Sequence, residues 1–178
     1  YSADLIPDAV RPQCMPAAFI KNGYITFGSF NNFAKVTDEM LILWKEILEK
    51  VTSSRLLFKN KIFGTPEGCA YIEKRLQAIG FPLNRVDMRG ESTTTQYLNE
   101  YGDIDIMLDT FPYPGGGTTC DALYMGVPVI SLMGKRHGSR FGYSLLKNIG
   151  LDDVCCAKTE KIYIEKAVGL AKNTQALA

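Results

Sequence analysis

The sequence predicts an α/β domain with a doubly wound parallel sheet, and two observations support this prediction. First, short apolar segments alternate along the chain with longer segments that repeat apolar residues at helical spacing. Second, the spacing of the alternation is typical of strand–helix units, which form parallel sheets covered by helices on both faces. With 178 residues, 46% of them apolar, the chain can form one domain with a sizeable core. We therefore expect a Rossmann-like fold.

The predicted strands and helices alternate from residue 24 onward. Six segments are predicted to be strands: residues 24–30, 55–58, 85–88, 105–109, 128–133 and 153–157. Six are predicted to be helices: residues 37–51, 66–79, 94–101, 120–126, 139–150 and 159–172. Thr37 is well placed to cap the first helix, while Gly80 and Gly150 end two of the others.

The first 21 residues differ from the rest of the chain. Residues 1–21 contain three prolines and no clear apolar period, which predicts an extended N-terminal segment that connects to something upstream. Residues 22–178 are predicted to form the single domain. The N-terminal residues lack the charged start and apolar run of a signal peptide. No stretch approaches the roughly 18 consecutive apolar residues that indicate a membrane-spanning helix.

Charge and cysteine content disfavour several classes of function. The net charge is only +1, whereas proteins that bind nucleic acids or membrane surfaces usually concentrate basic residues on one face. The five cysteines have no zinc-ligand spacing, and the single histidine, His137, is far from all of them in the sequence. We therefore expect no metal site, no nucleic-acid or membrane partner, and a reduced, cytoplasmic protein.

The stretch GGGTTCD, residues 115–121, is a candidate site because ligands of this fold bind beyond the carboxyl ends of the strands. It matches neither GxGxxG nor the P-loop pattern, so those motifs lend no support. Glycines at the start of a helix nevertheless let a phosphate approach exposed backbone N–H groups at the positive end of the helix dipole. Thr118 and Thr119 add hydroxyls, and Asp121 can accept hydrogen bonds from a ribose diol. The alternative is a plain loop in which Thr118 or Thr119 is the N-cap.

A second candidate, FNNFAK, follows the first predicted strand. Asn31, Asn32 and Lys35 lie at the same predicted edge of the sheet, where amides can bind polar groups and a lysine can pair with phosphate. The alternative is an asparagine-rich turn with a solvated lysine.

Two further loops contain weaker candidates. Residues 134–142 have three cations before a helix and can face an anion across the same cleft. A lone loop histidine such as His137 is more often a surface residue than a general base. Lys59 and Lys61 follow the second strand and are similar candidates for contact with an anion.

Three segments in matching order and spacing resemble one enzyme family. They are GYITFGSFNNFAKVT (23–37), LDTFPYPGGGTTCDALYMGVPVIS (108–131) and GSRFGYSLLKNIGLDD (138–153). Together they are similar to the C-terminal catalytic half of the O-linked N-acetylglucosamine transferases, including bacterial relatives and SPINDLY-type proteins. The resemblance implies the C-terminal member of two facing Rossmann-like domains, the GT-B arrangement. It also implies a partner N-terminal domain and tetratricopeptide repeats that this chain does not contain.

The resemblance assigns a diphosphate site to residues of both loops. Lys35 matches the family lysine that contacts the donor diphosphate and supports departure of the leaving group. Gly117 and Thr118 match the pair, usually two threonines, that binds phosphate at the start of a helix. Gly116 and Thr119 flank this pair and are expected to contribute to the same cradle. Gly117 retains the amide of a threonine but not its hydroxyl.

The resemblance also assigns contacts to the nucleoside. Asp121 falls on the acidic position that holds the ribose hydroxyls, and Asn32 falls where a neighbouring amide side chain contacts the donor. Residues 91–97 are expected to contact uracil, mainly through backbone groups near Ser92. Tyr97 stands where many family members have a histidine near the nucleotide.

The implied function is that of an inverting, metal-independent glycosyltransferase that uses a nucleotide sugar, with UDP-N-acetylglucosamine as the expected donor, to modify protein serine or threonine hydroxyls. No cofactor besides this donor is expected, and the fragment is expected to be inactive alone. One alternative keeps the fold but changes the donor, to UDP-glucose or GDP-fucose, or the acceptor, to an asparagine or a glycan. The other is a non-catalytic nucleotide-binding interaction module.

Overall fold

The computed structural model describes residues 16–177. Six parallel strands form one sheet: β1 (Thr26–Ser29), β2 (Arg55–Lys59), β3 (Val86–Arg89), β4 (Ile106–Leu108), β5 (Val129–Leu132) and β6 (Cys156–Ala157). Their order across the sheet is β3-β2-β1-β4-β5-β6, so the direction of winding reverses between β1 and β4. This order confirms the predicted doubly wound, Rossmann-like fold. It also makes the gap between the ends of β1 and β4 the topological switch point.

Helices connect the strands and cover the sheet. They are α1 (Ala18–Asn22), α2 (Asp38–Lys50), α3 (Pro66–Ala78), α4 (Thr94–Asn99), α5 (Gly117–Tyr124), α6 (Phe141–Asn148), α7 (Asp152–Cys155), α8 (Glu160–Lys172) and α9 (Thr174–Leu177). Several begin at threonine caps, of which Thr37 was expected from the sequence. Thr37 accepts the Met40 N–H at 3.3 Å at the start of α2, and Thr93 forms a capping box with Gln96 at the start of α4. Within residues 16–177, no helix is long and apolar enough to cross a membrane.

Two apolar cores lie on opposite faces of the sheet. Consecutive strand residues alternate between them: Leu57 and Met107 belong to the smaller core, whereas Phe58 and Ile106 belong to the larger one. The larger core packs against α2, α3 and α8, and the smaller one packs against α4 and α5. The sheet is thus covered on both faces, which leaves the carboxyl ends of its strands to carry a site.

The prediction of a strand over residues 153–157 was wrong for its first three residues. Asp152–Cys155 forms one helical turn, α7, and only Cys156 and Ala157 pair with β5. The Cys155 N–H donates to the Leu151 carbonyl at 2.8 Å, and two aspartates occupy the first turn, where the helix dipole favours negative charge.

The predicted extended N-terminal segment lies mostly outside the described residues. Residues 1–15, with Cys14, belong to that part, and nothing tests the prediction there. Residues 18–21, however, lie in the short helix α1, so the extended prediction was wrong for them. The helix ends at Gly23, whose φ of 75° is a left-handed conformation that glycine adopts easily.

Candidate functional site

The loops that follow β1 and β4 meet at the switch point through one buried carboxylate. Asp109 comes directly after β4, and its side chain is fully buried. Its Oδ1 accepts the N–H groups of Thr110 (2.9 Å) and Gly115 (2.7 Å) and the side-chain amide of Asn31 (3.2 Å). Its Oδ2 accepts the Ser131 hydroxyl at 2.7 Å. Burial raises the pKa of Asp109, and these four donors act in the opposite direction.

The glycine stretch leads into the N-terminus of a helix. Helix α5 begins at Gly117, and its N-cap is Gly116, which provides no side-chain cap. Neither Thr118 nor Thr119 is therefore the N-cap, so that part of the plain-loop alternative was wrong. The first N–H groups of any α-helix have no acceptor within the helix, so the backbone of this turn can bind an anion.

The hydroxyls of the two threonines have different surroundings. Thr118 Oγ1 donates to Asn31 Oδ1 at 2.7 Å, while Thr119 Oγ1 is buried and without a hydrogen-bond partner. Asn31 is only 2% exposed, and both its amide nitrogen and its oxygen are hydrogen-bonded inside the protein. Asn31 therefore ties the two loops together.

Lys35 brings a positive charge to the same place. It ends a 3₁₀ turn, Phe33–Lys35, and its Nζ donates to the Pro114 carbonyl at 3.1 Å, directly before the glycines. Asn32 is exposed at the start of this turn, where its side chain accepts the Ala34 N–H at 3.1 Å. Lys35 and the start of α5 are thus adjacent, although 82 residues separate Lys35 from Gly117 in the chain.

Asp121 and Tyr97 lie beside this cluster on neighbouring helices. The Tyr97 hydroxyl is 2.8 Å from the Tyr101 hydroxyl and donates to Asp121 Oδ2 at 3.4 Å. Tyr101 in turn donates to the Thr118 carbonyl at 3.2 Å. Burial is the main cause that raises the pKa of Tyr97 to about 12, so its hydroxyl remains neutral at ordinary pH. Helix α4 is thereby joined to the first turn of α5.

A cavity of about 460 Å³ opens next to the switch point, at the carboxyl ends of β1, β2 and β3. We call it the side cavity. Nine residues line it: Phe30, Asn32, Lys59, Asn60, Lys61, Gly90, Glu91, Ser92 and Tyr97. Its volume lies within the range of small-molecule sites.

A buried ion pair shapes the wall of the side cavity. Lys59 is 5% exposed and pairs with Glu100 at 2.6 Å, and it also donates to the Gly90 carbonyl at 2.7 Å. Ser92 donates to the same Glu100 oxygen at 3.1 Å. Lys59 therefore fixes the loop after β3, whereas Lys61 is exposed at the cavity rim.

The loop after β5 contains His137, whose ring contacts Phe141 rather than a residue of this cluster. His137 is exposed and packs edge-on against Phe141, with ring centroids 5.7 Å apart. Within residues 16–177, no group of three His, Cys, Asp or Glu side chains is arranged to hold a metal ion.

Sequence reasoning missed Asp109 as a site residue. It was included as the last residue of a predicted strand. An acidic residue at the end of a buried apolar run nevertheless indicates a carboxylate with a specific role. Ser131 and Tyr101 gave no such signal, because their roles depend on contacts across the sheet and between helices.

Comparison with known proteins identifies the family. Residues 17–178 match glycosyl transferase family 41. The chain is 41% identical over 172 residues to the probable UDP-N-acetylglucosamine–peptide N-acetylglucosaminyltransferase SPINDLY of Solanum lycopersicum, and to the protein of the same name from Arabidopsis thaliana. Each match covers 94% of this chain but 18% of the relative. The chain thus spans less than a fifth of the length of these curated relatives.

Solved structures agree with this result. An O-GlcNAc transferase mutant of Thermobaculum terrenum superimposes with a TM-score of 0.87 and 32% identity, over 97% of this chain and 32% of that one. The C-terminal domain of the group 1 glycosyl transferase LpcC from Francisella tularensis has a TM-score of 0.61 over 95% of this chain and 88% of that one. Its 14% identity supports the shared fold alone. The extent of the family match and the similarity to SPINDLY proteins show that this chain belongs to glycosyl transferase family 41.

Proposed function

We propose that this domain binds the nucleotide-sugar donor of an inverting glycosyltransferase that modifies serine or threonine hydroxyls of proteins. The observation that carries the proposal is the meeting of Lys35 with the N-terminus of α5 at the switch point. A lysine and a turn of unpaired backbone N–H groups are complementary to a diphosphate. The family and the names of the SPINDLY relatives support transfer of N-acetylglucosamine to a peptide.

We propose complementary groups at this edge of the sheet for the diphosphate, the ribose and the base of the donor. The diphosphate is proposed to lie against Lys35 and the backbone of residues 116–119, with the ribose hydroxyls at Asp121. The base is proposed to enter the side cavity, near Ser92 and Tyr97. Asn32, exposed at the mouth of this cavity, is proposed to contact the donor as well.

The chemistry assigned to these groups is stabilisation of the leaving nucleoside diphosphate. As the glycosidic bond breaks, negative charge grows on the phosphate oxygens, and fixed positive groups stabilise it without reorganising. Lys35 and the α5 dipole supply that positive charge, so the proposal requires no metal ion. The acceptor hydroxyl attacks the anomeric carbon from the opposite face, which inverts its configuration.

The donor is proposed to be UDP-N-acetylglucosamine, as the names of the relatives suggest. UDP-glucose and GDP-fucose carry the same diphosphate, so the proposed cradle does not distinguish them, and the base decides between the uridine and guanosine donors. The facing N-terminal domain and the tetratricopeptide repeats are proposed to belong to the remaining length of the protein and to bind the acceptor. This chain alone is then expected to bind donor but not to transfer sugar.

Calorimetric titration of the domain with UDP, GDP and UDP-N-acetylglucosamine tests the proposal. We expect micromolar-to-millimolar binding of a uridine nucleotide, weakened about tenfold or more in Lys35→Ala and Asp121→Ala, because each loses a charged hydrogen-bonding partner. Lys74→Ala, an exposed lysine of α3, is the matched control and should bind normally. No binding of any nucleotide would overturn the proposal, and a preference for GDP would assign a guanosine donor.

A further inference from the structure

The Asp109 side chain lies among groups that require a hydrogen-bond acceptor. Every recorded partner of its side chain donates a hydrogen bond: two backbone N–H groups, one amide side chain and one hydroxyl. The carboxylate accepts at both oxygens, and its Oδ1 faces three N–H donors, which only an acceptor can satisfy. Because its side chain is fully buried, Asp109 cannot touch a ligand itself.

The donors that Asp109 holds belong to both loops of the proposed diphosphate cradle. Gly115 directly precedes the N-terminal turn of α5, and its N–H is 2.7 Å from Asp109 Oδ1. Asn31 lies in the loop after β1, four residues before Lys35. Its amide nitrogen donates to Asp109, and its amide oxygen accepts the Thr118 hydroxyl. A single carboxylate thus sets the distance between the two loops.

The main chain of Asp109 is fixed from the other side of the sheet. Its carbonyl accepts the Tyr163 hydroxyl at 3.0 Å, and this hydroxyl accepts the Trp44 indole N–H at 3.0 Å. Tyr163 and Trp44 belong to α8 and α2 and are fully buried. The carboxylate is therefore anchored to the larger core and has little freedom to move with the loops.

We propose that Asp109 is a positioning residue for donor binding, which holds the Gly115 amide and the Asn31 side chain so that the start of α5 and Lys35 face the same diphosphate. The ligand in this inference rests on the proposed function. Asp109 acts through hydrogen bonds rather than through its charge, because its carboxylate is shielded from the ligand and a negative charge alone would repel phosphate.

The test separates hydrogen bonding from charge and from general stability. Asp109→Ala removes the acceptor, whereas Asp109→Asn keeps an oxygen for three donors and turns its NH₂ toward Ser131, whose hydroxyl can accept. Asp109→Glu keeps the charge but shifts the carboxylate by one methylene, and it serves if Asp109→Ala does not fold. Ser131→Ala is the matched control. It removes one hydrogen bond to the same carboxylate, but Ser131 lies in β5 and belongs to neither loop.

Two measurements are made on each folded variant: the dissociation constant for UDP, GDP and UDP-N-acetylglucosamine, and amide hydrogen exchange of residues 115–119 by NMR. We expect Asp109→Ala and Asp109→Glu to bind about tenfold or more weakly with faster exchange at Gly115, since small displacements of positioning groups cost that much. Asp109→Asn and Ser131→Ala are expected to stay within about threefold of wild type.

Three outcomes overturn the proposal. Affinity that is unchanged in both Asp109→Ala and Asp109→Glu shows that the cradle does not depend on Asp109. An equal loss in Asp109→Asn shows that charge matters rather than hydrogen bonding. An equal loss in Ser131→Ala shows a general effect of destabilisation. If wild type binds no nucleotide, the proposed function fails, and the exchange of the Gly115 amide still decides whether Asp109 holds the loop.

Discussion

Two aspartates at opposite ends of β4 show how one chemical group serves two different purposes in the same strand. Asp105 precedes the three residues of β4 and Asp109 follows them. Both are buried, at 3% and 0% exposure, and burial raises the pKa of both carboxyls. Asp105 accepts the N–H groups of Phe19 (2.7 Å) and Thr26 (2.8 Å), which belong to α1 and β1.

The difference lies in the edge of the sheet that each carboxylate occupies. Asp105 is at the amino ends of the strands, where it ties helix α1 to the domain. Asp109 is at the carboxyl ends, where the loops of a doubly wound sheet converge on a ligand. Residue type and burial therefore do not separate a structural acid from one proposed to support a site, whereas its position along the strand does.

The largest expected effect is on stability and follows from the number of donors that each acid satisfies. Asp109→Leu leaves four donors without their acceptor, and we expect a loss of about 3–5 kcal/mol in the free energy of unfolding. Asp105→Leu leaves two and should cost about 1–3 kcal/mol. Urea unfolding near neutral pH measures both values.

Nucleotide affinity also distinguishes Asp105 from Asp109. Asp105→Leu should leave the dissociation constant of the folded protein unchanged, because its partners lie at the far edge of the sheet. Weaker nucleotide binding in Asp105→Leu would contradict the division of the molecule into a structural edge and a ligand edge.

The next effect concerns two adjacent glycines of the carboxyl edge. A Cβ atom at Gly115 would lie 2.5 Å from Thr118 Oγ1, 2.6 Å from Thr119 Oγ1 and 2.7 Å from Asn31 Oδ1, whereas one at Gly116 meets nothing within 4 Å. Gly115→Ala should therefore displace the loop, with a loss of stability of about 1–3 kcal/mol.

Gly116→Ala is the matched comparison for Gly115→Ala. It should leave stability unchanged and lower nucleotide affinity, because its methyl group would occupy the space proposed for phosphate. Thermal unfolding and calorimetric titration measure the two effects, and normal nucleotide binding by Gly116→Ala would place the phosphate elsewhere on the loop.

The pH dependence of stability tests both raised pKa values. A carboxyl with a higher pKa in the folded than in the unfolded state binds its proton more tightly when folded, so its contribution to stability is present at low pH and lost as pH rises through the folded pKa. Wild type should therefore gain stability relative to Asp105→Asn, and relative to Asp109→Asn, as pH falls from about 7 toward about 4. Urea unfolding at several pH values measures these differences, and a difference that shrinks with falling pH contradicts the raised pKa at that position.

Much of the fold could be predicted from the sequence, because apolar period and caps act locally. The strands that became β1 to β5 and the helix begun by Thr37 were predicted close to their observed bounds. The short turn of α7 was missed, since Val154, Cys155 and Cys156 look like a strand until Asp152 and Asp153 are recognised as the start of a helical turn. Helix α1 was missed because prolines dominate the segment before it.

The site was predicted less completely, because it depends on contacts between distant parts of the chain. Lys35 and residues 115–121 could be proposed from their positions after strands and from the family resemblance. The sequence cannot show that Asn31 turns inward or that its side-chain amide donates to Asp109, because this hydrogen bond spans 78 residues. Long-range pairing of buried polar groups has no local pattern.

The smallest expected effect shows how far the Asp109 network extends along the carboxyl edge. Tyr97→Phe removes the hydroxyl that joins α4 to Asp121, without touching any partner of Asp109. The 2.8 Å contact with the Tyr101 hydroxyl and the 3.4 Å hydrogen bond to Asp121 are lost, so stability should fall by about 1 kcal/mol and nucleotide affinity by about threefold. Tyr124→Phe, a half-buried tyrosine of α5, is the control measured in the same titrations. A loss of nucleotide affinity in Tyr97→Phe as large as that in Asp109→Ala would show that α4 positions the ligand edge as strongly as Asp109 does. Asp109 would then not be the main positioning residue of this edge.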